Sequence, residues 1–107
     1  MNDRLFINND YDLSIPDLRK QTDGSPLTSA TVTCTLKDGY SATAATLGGP
    51  VTLTPNGSGG YAGVLEAAAF GSLALNATVY LWWSASQGGY DASWIEARRV
   101  AYRPAGA

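Results

Sequence analysis

The sequence predicts an all-β domain, an antiparallel β-sandwich of about seven to eight short strands, with a barrel as the alternative. Three observations carry that expectation. Apolar and polar residues alternate in several runs, the clearest being Ala77, Val79, Leu81, Trp83 and Ala85 set against Thr78, Tyr80, Trp82 and Ser84. Successive side chains of a strand face opposite sides of the sheet, so this run presents one buried face and one outward face. Turn signals punctuate the chain roughly every 8 to 12 residues, the spacing of sandwich strands. Helical leanings are confined to 66–73 (EAAAFGSL), shorter than the roughly 12 residues an isolated helix needs, and that stretch is expected to be a crossover between sheets.

In chain order, Leu5–Asn8 and Tyr11–Ile15 are extended segments separated by Asn9-Asp10, with Leu13 and Ile15 alternating with Asp12 and Ser14. Pro16 suits a strand exit because it donates no ladder hydrogen bond. Asp23-Gly24 marks a turn within the polar stretch 19–25. Ala30, Val32, Cys34 and Leu36 then alternate with Thr31, Thr33, Thr35 and Lys37, a strand with a polar outer face. Asp38-Gly39 reads as a two-residue type I′ hairpin turn, which makes 40–45 the returning strand. Gly48-Gly49-Pro50 is expected to break the chain and Val51–Thr54 to resume it, followed by an exposed loop at 55–60 and a strand at Tyr61–Leu65. After the strand centred on Leu81, a loop at Gln87–Asp91 leads to a final strand from Ala92 to about Tyr102. With Ile95 and Ala97 facing inward, unbroken alternation would bury Arg99. A β-bulge at Arg98-Arg99, returning Val100 and Tyr102 to the core, is the expected remedy.

At 107 residues the chain is expected to be a single domain spanning 1–107, long enough for one modest core. A net charge of −2 and a pI near 4.7 lack the basic footprint of a nucleic-acid binder. No apolar run reaches the roughly 20 residues of a membrane-spanning helix. The first residues show no basic segment followed by an apolar one, so synthesis without a secretory signal is expected. The lone cysteine, Cys34, permits no intrachain disulfide and is read as a small buried hydrophobe.

The absence of histidine removes the commonest general base and zinc ligand. It also removes serine- and cysteine-based nucleophile triads. The stretch 55–60 (PNGSGG) lacks the lysine and the strand–helix setting of a phosphate loop. Glu66 and Glu96 are the only glutamates and most aspartates fall in turns, so no carboxylate pair for glycoside hydrolysis stands out. The expectation is a non-enzyme without cofactor or metal. Asp10 and Asp12 with Asn8 and Asn9 offer oxygen ligands of the kind calcium takes, but read as a solvated turn. Asn56 and Asn76 each begin a glycosylation-type triplet, read as chance.

Candidate contact residues follow from the pattern. Trp82, left over on the outward face, and Trp94 are expected to meet something beyond the chain, with Tyr80 beside them. A sugar-stacking platform is the rival reading of the same rings. Asp3, Asp10, Asp12 and Asp17 in the first part and Arg98, Arg99 and Arg103 at the close form complementary sets, read either as ordinary surface charge or as pairs within the chain or between copies that fix register.

A loop leading into a tyrosine early in the penultimate strand, here Leu75-Asn76 before Tyr80, is similar to the tyrosine corner of immunoglobulin-like domains. The fold class expected is therefore an immunoglobulin-like sandwich without a disulfide. Asp23-Gly24-Ser25-Pro26-Leu27-Thr28-Ser29-Ala30-Thr31-Val32, together with the opening 5–19, 59–66 and 75–83, resembles the small immunoglobulin-like accessory proteins of tailed bacteriophages. The resemblance covers most of the chain and implies a virion structural protein assembled in the host cytoplasm. Capsid decoration or a minor capsid role comes first, ahead of head–tail or tail and baseplate attachment. Its implied partners are the major capsid protein or other virion proteins and further copies of itself. A carbohydrate-binding adhesion module, with a glycan as partner, is the alternative.

Overall fold

A computed structural model describes residues 4–7, 9–67 and 73–101. Among the described residues eight strands are formed: β1 (Arg4–Phe6), β2 (Tyr11–Ile15), β3 (Thr31–Lys37), β4 (Thr46–Thr52), β5 (Thr54–Pro55), β6 (Tyr61–Leu65), β7 (Thr78–Gln87) and β8 (Tyr90–Ala101). One sheet has the order β1-β8-β7-β3-β4 and the other β2-β6-β5. All pairings are antiparallel except β1 with β8.

The strand order is that of an immunoglobulin sandwich. β2, β6 and β5 take the places of strands B, E and D, and β3, β4, β7 and β8 those of C, C′, F and G. β1 lies beside the last strand rather than beside β2, which leaves β2 as an edge. The free Cys34 is buried and forms no disulfide.

The strands with the strictest alternation form the centre. Val32, Cys34 and Leu36 of β3 and Val79, Leu81, Trp83 and Ala85 of β7 are all buried. They meet Leu13 of β2, Tyr61 and Leu65 of β6, and Leu53, with Leu5 and Val100 closing one end of the same cluster. Among described residues no charged side chain is fully buried, so the core rests on apolar burial and shape.

The β7–β8 turn decides a register the alternation alone had set differently. It is the two-residue Gly88-Gly89 loop, both residues at positive φ (56° and 88°), as a type I′ turn requires. Gln87 therefore pairs with Tyr90, and the ladder continues without a slip to Thr78 opposite Arg99. No bulge occurs at Arg98-Arg99. Trp94, Glu96, Arg98 and Val100 share the inner face, while Ile95 and Ala97 face outward, Ile95 41% exposed. The expected inward Ile95 and Ala97 are thus corrected.

The register slips lie instead between β3 and β4, at Cys34/Leu36 and Leu36/Lys37. Residues 40–45 are loop, and the returning strand is Thr46–Thr52, running through the Gly48-Gly49-Pro50 expected to break it. Asp38 closes this loop: its N–H donates to the Ala45 carbonyl (3.1 Å), and its carboxylate accepts from the Ala45 N–H (2.9 Å). Gly49 is at φ 88°, and a Cβ there would lie 2.9 Å from the Cys34 carbonyl oxygen. The 56–60 loop is less exposed than expected. Gly59 and Gly60 are buried, and the Gly59 carbonyl accepts from the Leu18 N–H at 2.7 Å. Most of the expected 66–73 crossover lies outside the described residues.

Candidate functional site

Strict alternation in β7 and the unslipped β8 ladder give the five-stranded sheet a defined outer face. Along its middle row Thr35, Trp82 and Ile95 lie side by side. The next row is Lys37, Tyr80 and Ala97, and the row on the other side is Thr33, Ser84 and Ser93. Trp82 is half-buried by its own chain. Its indole N–H donates to the Gly39 carbonyl at 2.8 Å, and the Lys37 ammonium sits 4.4 Å from the ring centroid, a cation–π contact. Tyr40, 72% exposed, packs edge-on against Tyr80 with centroids 5.5 Å apart. The result is an aromatic and aliphatic strip, Tyr40, Tyr80, Trp82 and Ile95, flanked by hydroxyls and one lysine. Tyr80 shares the outer face with Trp82, so it makes no tyrosine corner, whose ring would need the core-facing side.

Trp94 is on the opposite face of the sheet. It lies opposite Trp83, the two rings nearly parallel (7°) at 5.7 Å. Trp82 and Trp94 therefore do not form one platform. The indole nitrogen of the buried Trp83 has no hydrogen-bond partner among described residues, because stacking and burial fix its ring with no acceptor in reach.

Trp94 instead lines a cleft of about 650 Å³ between the β2–β3 connection and the start of β8. Ile15 and Leu18 supply further apolar lining, and Asp17, Arg19, Gln21, Tyr90 and Asp91 the polar groups. Arg19 is fixed by Asp17 (2.8 Å) and the Gly24 carbonyl (2.8 Å), and the Tyr90 hydroxyl accepts from the Gln21 N–H (2.9 Å). Of this set only Trp94 was a candidate contact residue in the sequence. Asp17, Arg19 and Gln21 come from a connection distant in sequence, which alternation cannot read.

Among described residues the complementary charge sets do not meet. The Arg98 side chain, 13% exposed, donates from Nε to the Tyr11 hydroxyl (2.7 Å), from Nη1 to the Ala97 carbonyl (2.8 Å), and lies 3.6 Å from Glu96. It braces β8 against β2 across the gap between the sheets, where an outward arginine had been expected. Arg99 is exposed on the outer face between Thr78 and Arg4. Asp10 accepts from the Ala67 N–H at 2.8 Å. Asp12 is exposed opposite Val64, on the far side of the molecule from Trp82. Arg103 lies outside the described residues. Among described residues no three acidic, histidine or cysteine side chains converge.

Tyr61 opens an expected strand, but nothing in the alternation marks its hydroxyl. Its buried hydroxyl accepts from the Ala30 N–H (2.8 Å) and donates to the Leu27 carbonyl (2.5 Å), pinning the entry to β3. Burial pushes the Cys34 thiol up to about 12, with Glu96 adding to the rise and Arg98 opposing it. It is therefore a poor nucleophile at neutral pH.

Comparison with known proteins yields no match: no family model, no curated protein and no solved structure is significantly similar to the chain.

Proposed function

We propose that the protein is a structural subunit of a tailed-bacteriophage virion, a capsid decoration or minor capsid protein first and a head–tail or tail component second. Its work is attachment rather than catalysis. The major capsid protein or another virion protein is the partner, and assembly takes place in the host cytoplasm. The observation that carries the reading is the outer strip of Tyr40, Tyr80, Trp82 and Ile95, bordered on the same sheet face by Thr33, Thr35, Ser84 and Ser93 with Lys37 at one side. Partly exposed aromatics beside small hydroxyls suit protein contact: the rings supply area at low entropic cost and the hydroxyls adapt. The sequence resemblance to phage accessory proteins supplies the context.

Mass spectrometry of purified particles tests the reading, and the protein is expected among the virion components. Trp82→Ala combined with Ile95→Asp should then strip it from particles while the isolated domain stays folded. Absence of the wild-type protein from particles sinks the proposal.

The cleft beside Trp94 favours one second reading, a glycan-binding module. An indole with neighbouring carboxylate, guanidinium and amide groups is the usual make-up of a sugar site. Glycan-array binding abolished by Asp91→Ala or Gln21→Ala, with particle association unchanged, would favour it.

A further inference from the structure

The free side of β8 is an unusually open strand edge. Opposite strands in an antiparallel ladder exchange bonds at alternate residues. The two-residue turn makes Gln87–Tyr90 a bonded pair, so the even-numbered residues of β8 direct their backbone groups to β7. The Val100 N–H bonds to Ala77 and its carbonyl accepts from Asn76, in keeping with that phase. Asp91, Ser93, Ile95, Ala97, Arg99 and Ala101 therefore direct theirs to the other side. There β1 pairs only with Arg99, Val100 and Ala101, and Ile7 donates to the Ala101 carbonyl.

The backbone groups of Asp91, Ser93, Ile95 and Ala97 meet no other backbone among described residues. The Ala97 carbonyl takes one bond from Arg98 Nη1 and keeps a second lone pair. The segment 91–97 carries no proline, bulge or lysine, and of the devices that guard an edge it keeps only the charges of Asp91 and the inward Glu96.

We propose that this edge pairs with the same edge of a second copy, antiparallel, about a two-fold axis at Trp94. The four open residues are symmetric about position 94, so one register alone satisfies all of them. Asp91 pairs with Ala97 of the second copy and Ser93 with its Ile95, and the reverse. On the inner face Trp94 then lies against its symmetry mate, extending the Trp83–Trp94 stack across the axis. Tyr90 faces Arg98 and Ala92 faces Glu96. On the outer face Asp91 is diagonal to Arg99, within reach across strands. No charge faces a like charge. Sliding the register by two residues toward the C-terminus would require Arg99, which β1 already occupies, and would leave Asp91 unpaired. The product is one continuous sheet of ten strands, five from each copy. It does not depend on the virion reading.

Light scattering across a concentration series, with amide hydrogen exchange, tests this. Wild-type protein is expected to dimerise at high micromolar concentration, with the amides of Asp91, Ser93, Ile95 and Ala97 gaining protection as dimer forms. Ser93→Pro removes one edge donor per copy without touching the β7 ladder, and should raise the dissociation constant at least about tenfold. A monomer throughout the series overturns the proposal, as does a Ser93→Pro protein that dimerises like wild type. Should Ser93→Pro fail to fold, the wild-type exchange data decide alone: protection at these amides that does not change with concentration overturns it.

Discussion

At one side of the five-stranded sheet β4 carries Gly48, Gly49 and Pro50 within seven residues and slips twice against β3. At the other side β8 holds its register against β7 for ten consecutive pairs. Both are long strands flanking a well-packed pair, yet they meet solvent differently. β4 is irregular in register, and bulged, irregular edges are poor templates for a further strand. β8 stays in register, and among described residues only its last three are covered by β1. The difference shows that openness at β8 is a property of that edge, since the same sheet closes its other edge by local irregularity.

The irregular edge should break first, and at one residue. Gly49 and Gly89 share φ 88°, but a Cβ at Gly49 would meet the Cys34 carbonyl at 2.9 Å while one at Gly89 meets nothing within 4 Å. Alanine in the left-handed region costs about 1–2 kcal/mol from the backbone alone. Gly89→Ala should lose about that much in urea unfolding. Gly49→Ala should lose clearly more, because the strand must also move off Cys34. Equal losses would show that the β3–β4 slip does not rest on this close approach.

A smaller effect is expected where β3 is entered. Tyr61→Phe keeps the ring but leaves the Ala30 N–H and the Leu27 carbonyl without the hydroxyl that joins them. A buried donor left unpaired costs about 1–3 kcal/mol. Chemical denaturation of this variant should show a loss in that range with an unchanged slope. A loss below about 0.5 kcal/mol would mean that water reaches the site.

How far these regions were legible in the sequence follows from what alternation encodes. β3 and β7 lie between strands on both sides and face the core, so their inward positions are apolar from Val32 to Leu36 and from Val79 to Ala85, and both strands and Trp82's outward position could be read directly. β8 misled because its inner face carries two charged residues. Arg98 is held there by the Tyr11 hydroxyl and lies 3.6 Å from the partly exposed Glu96, so polarity no longer marks the outside. The deciding signal was the Gly88-Gly89 pair, since a two-residue turn fixes which residues stand opposite each other. β4 misled for the opposite reason. Glycine and proline read as a break, but an edge strand tolerates a residue with no N–H to give. The cleft beside Trp94 could not be read at all, because Asp17, Arg19 and Gln21 reach it only through the packing of a loop against a distant hairpin.

Cys34 supplies a finer probe of the irregular side, since its carbonyl lies against Gly49 and its thiol in the core. Burial raises the folded-state thiol to about 12, whereas an unfolded cysteine ionises near 8.5. The fold thus favours the protonated thiol. Its contribution is fully present below the unfolded value and is lost as pH rises from there towards 12. Each unit of pH in that window removes about 1.4 kcal/mol. Between pH 8 and pH 10, wild-type stability should fall by more than that of Cys34→Ala, which lacks the titrating group. The difference between the two proteins isolates the thiol from the tyrosines and lysines they share. Parallel curves would mean that the thiol ionises in place, which requires water at the β3–β4 slip. A thiol-specific reagent separates the two cases again, labelling native Cys34 slowly at pH 8 if the slip is dry and rapidly if it is wet.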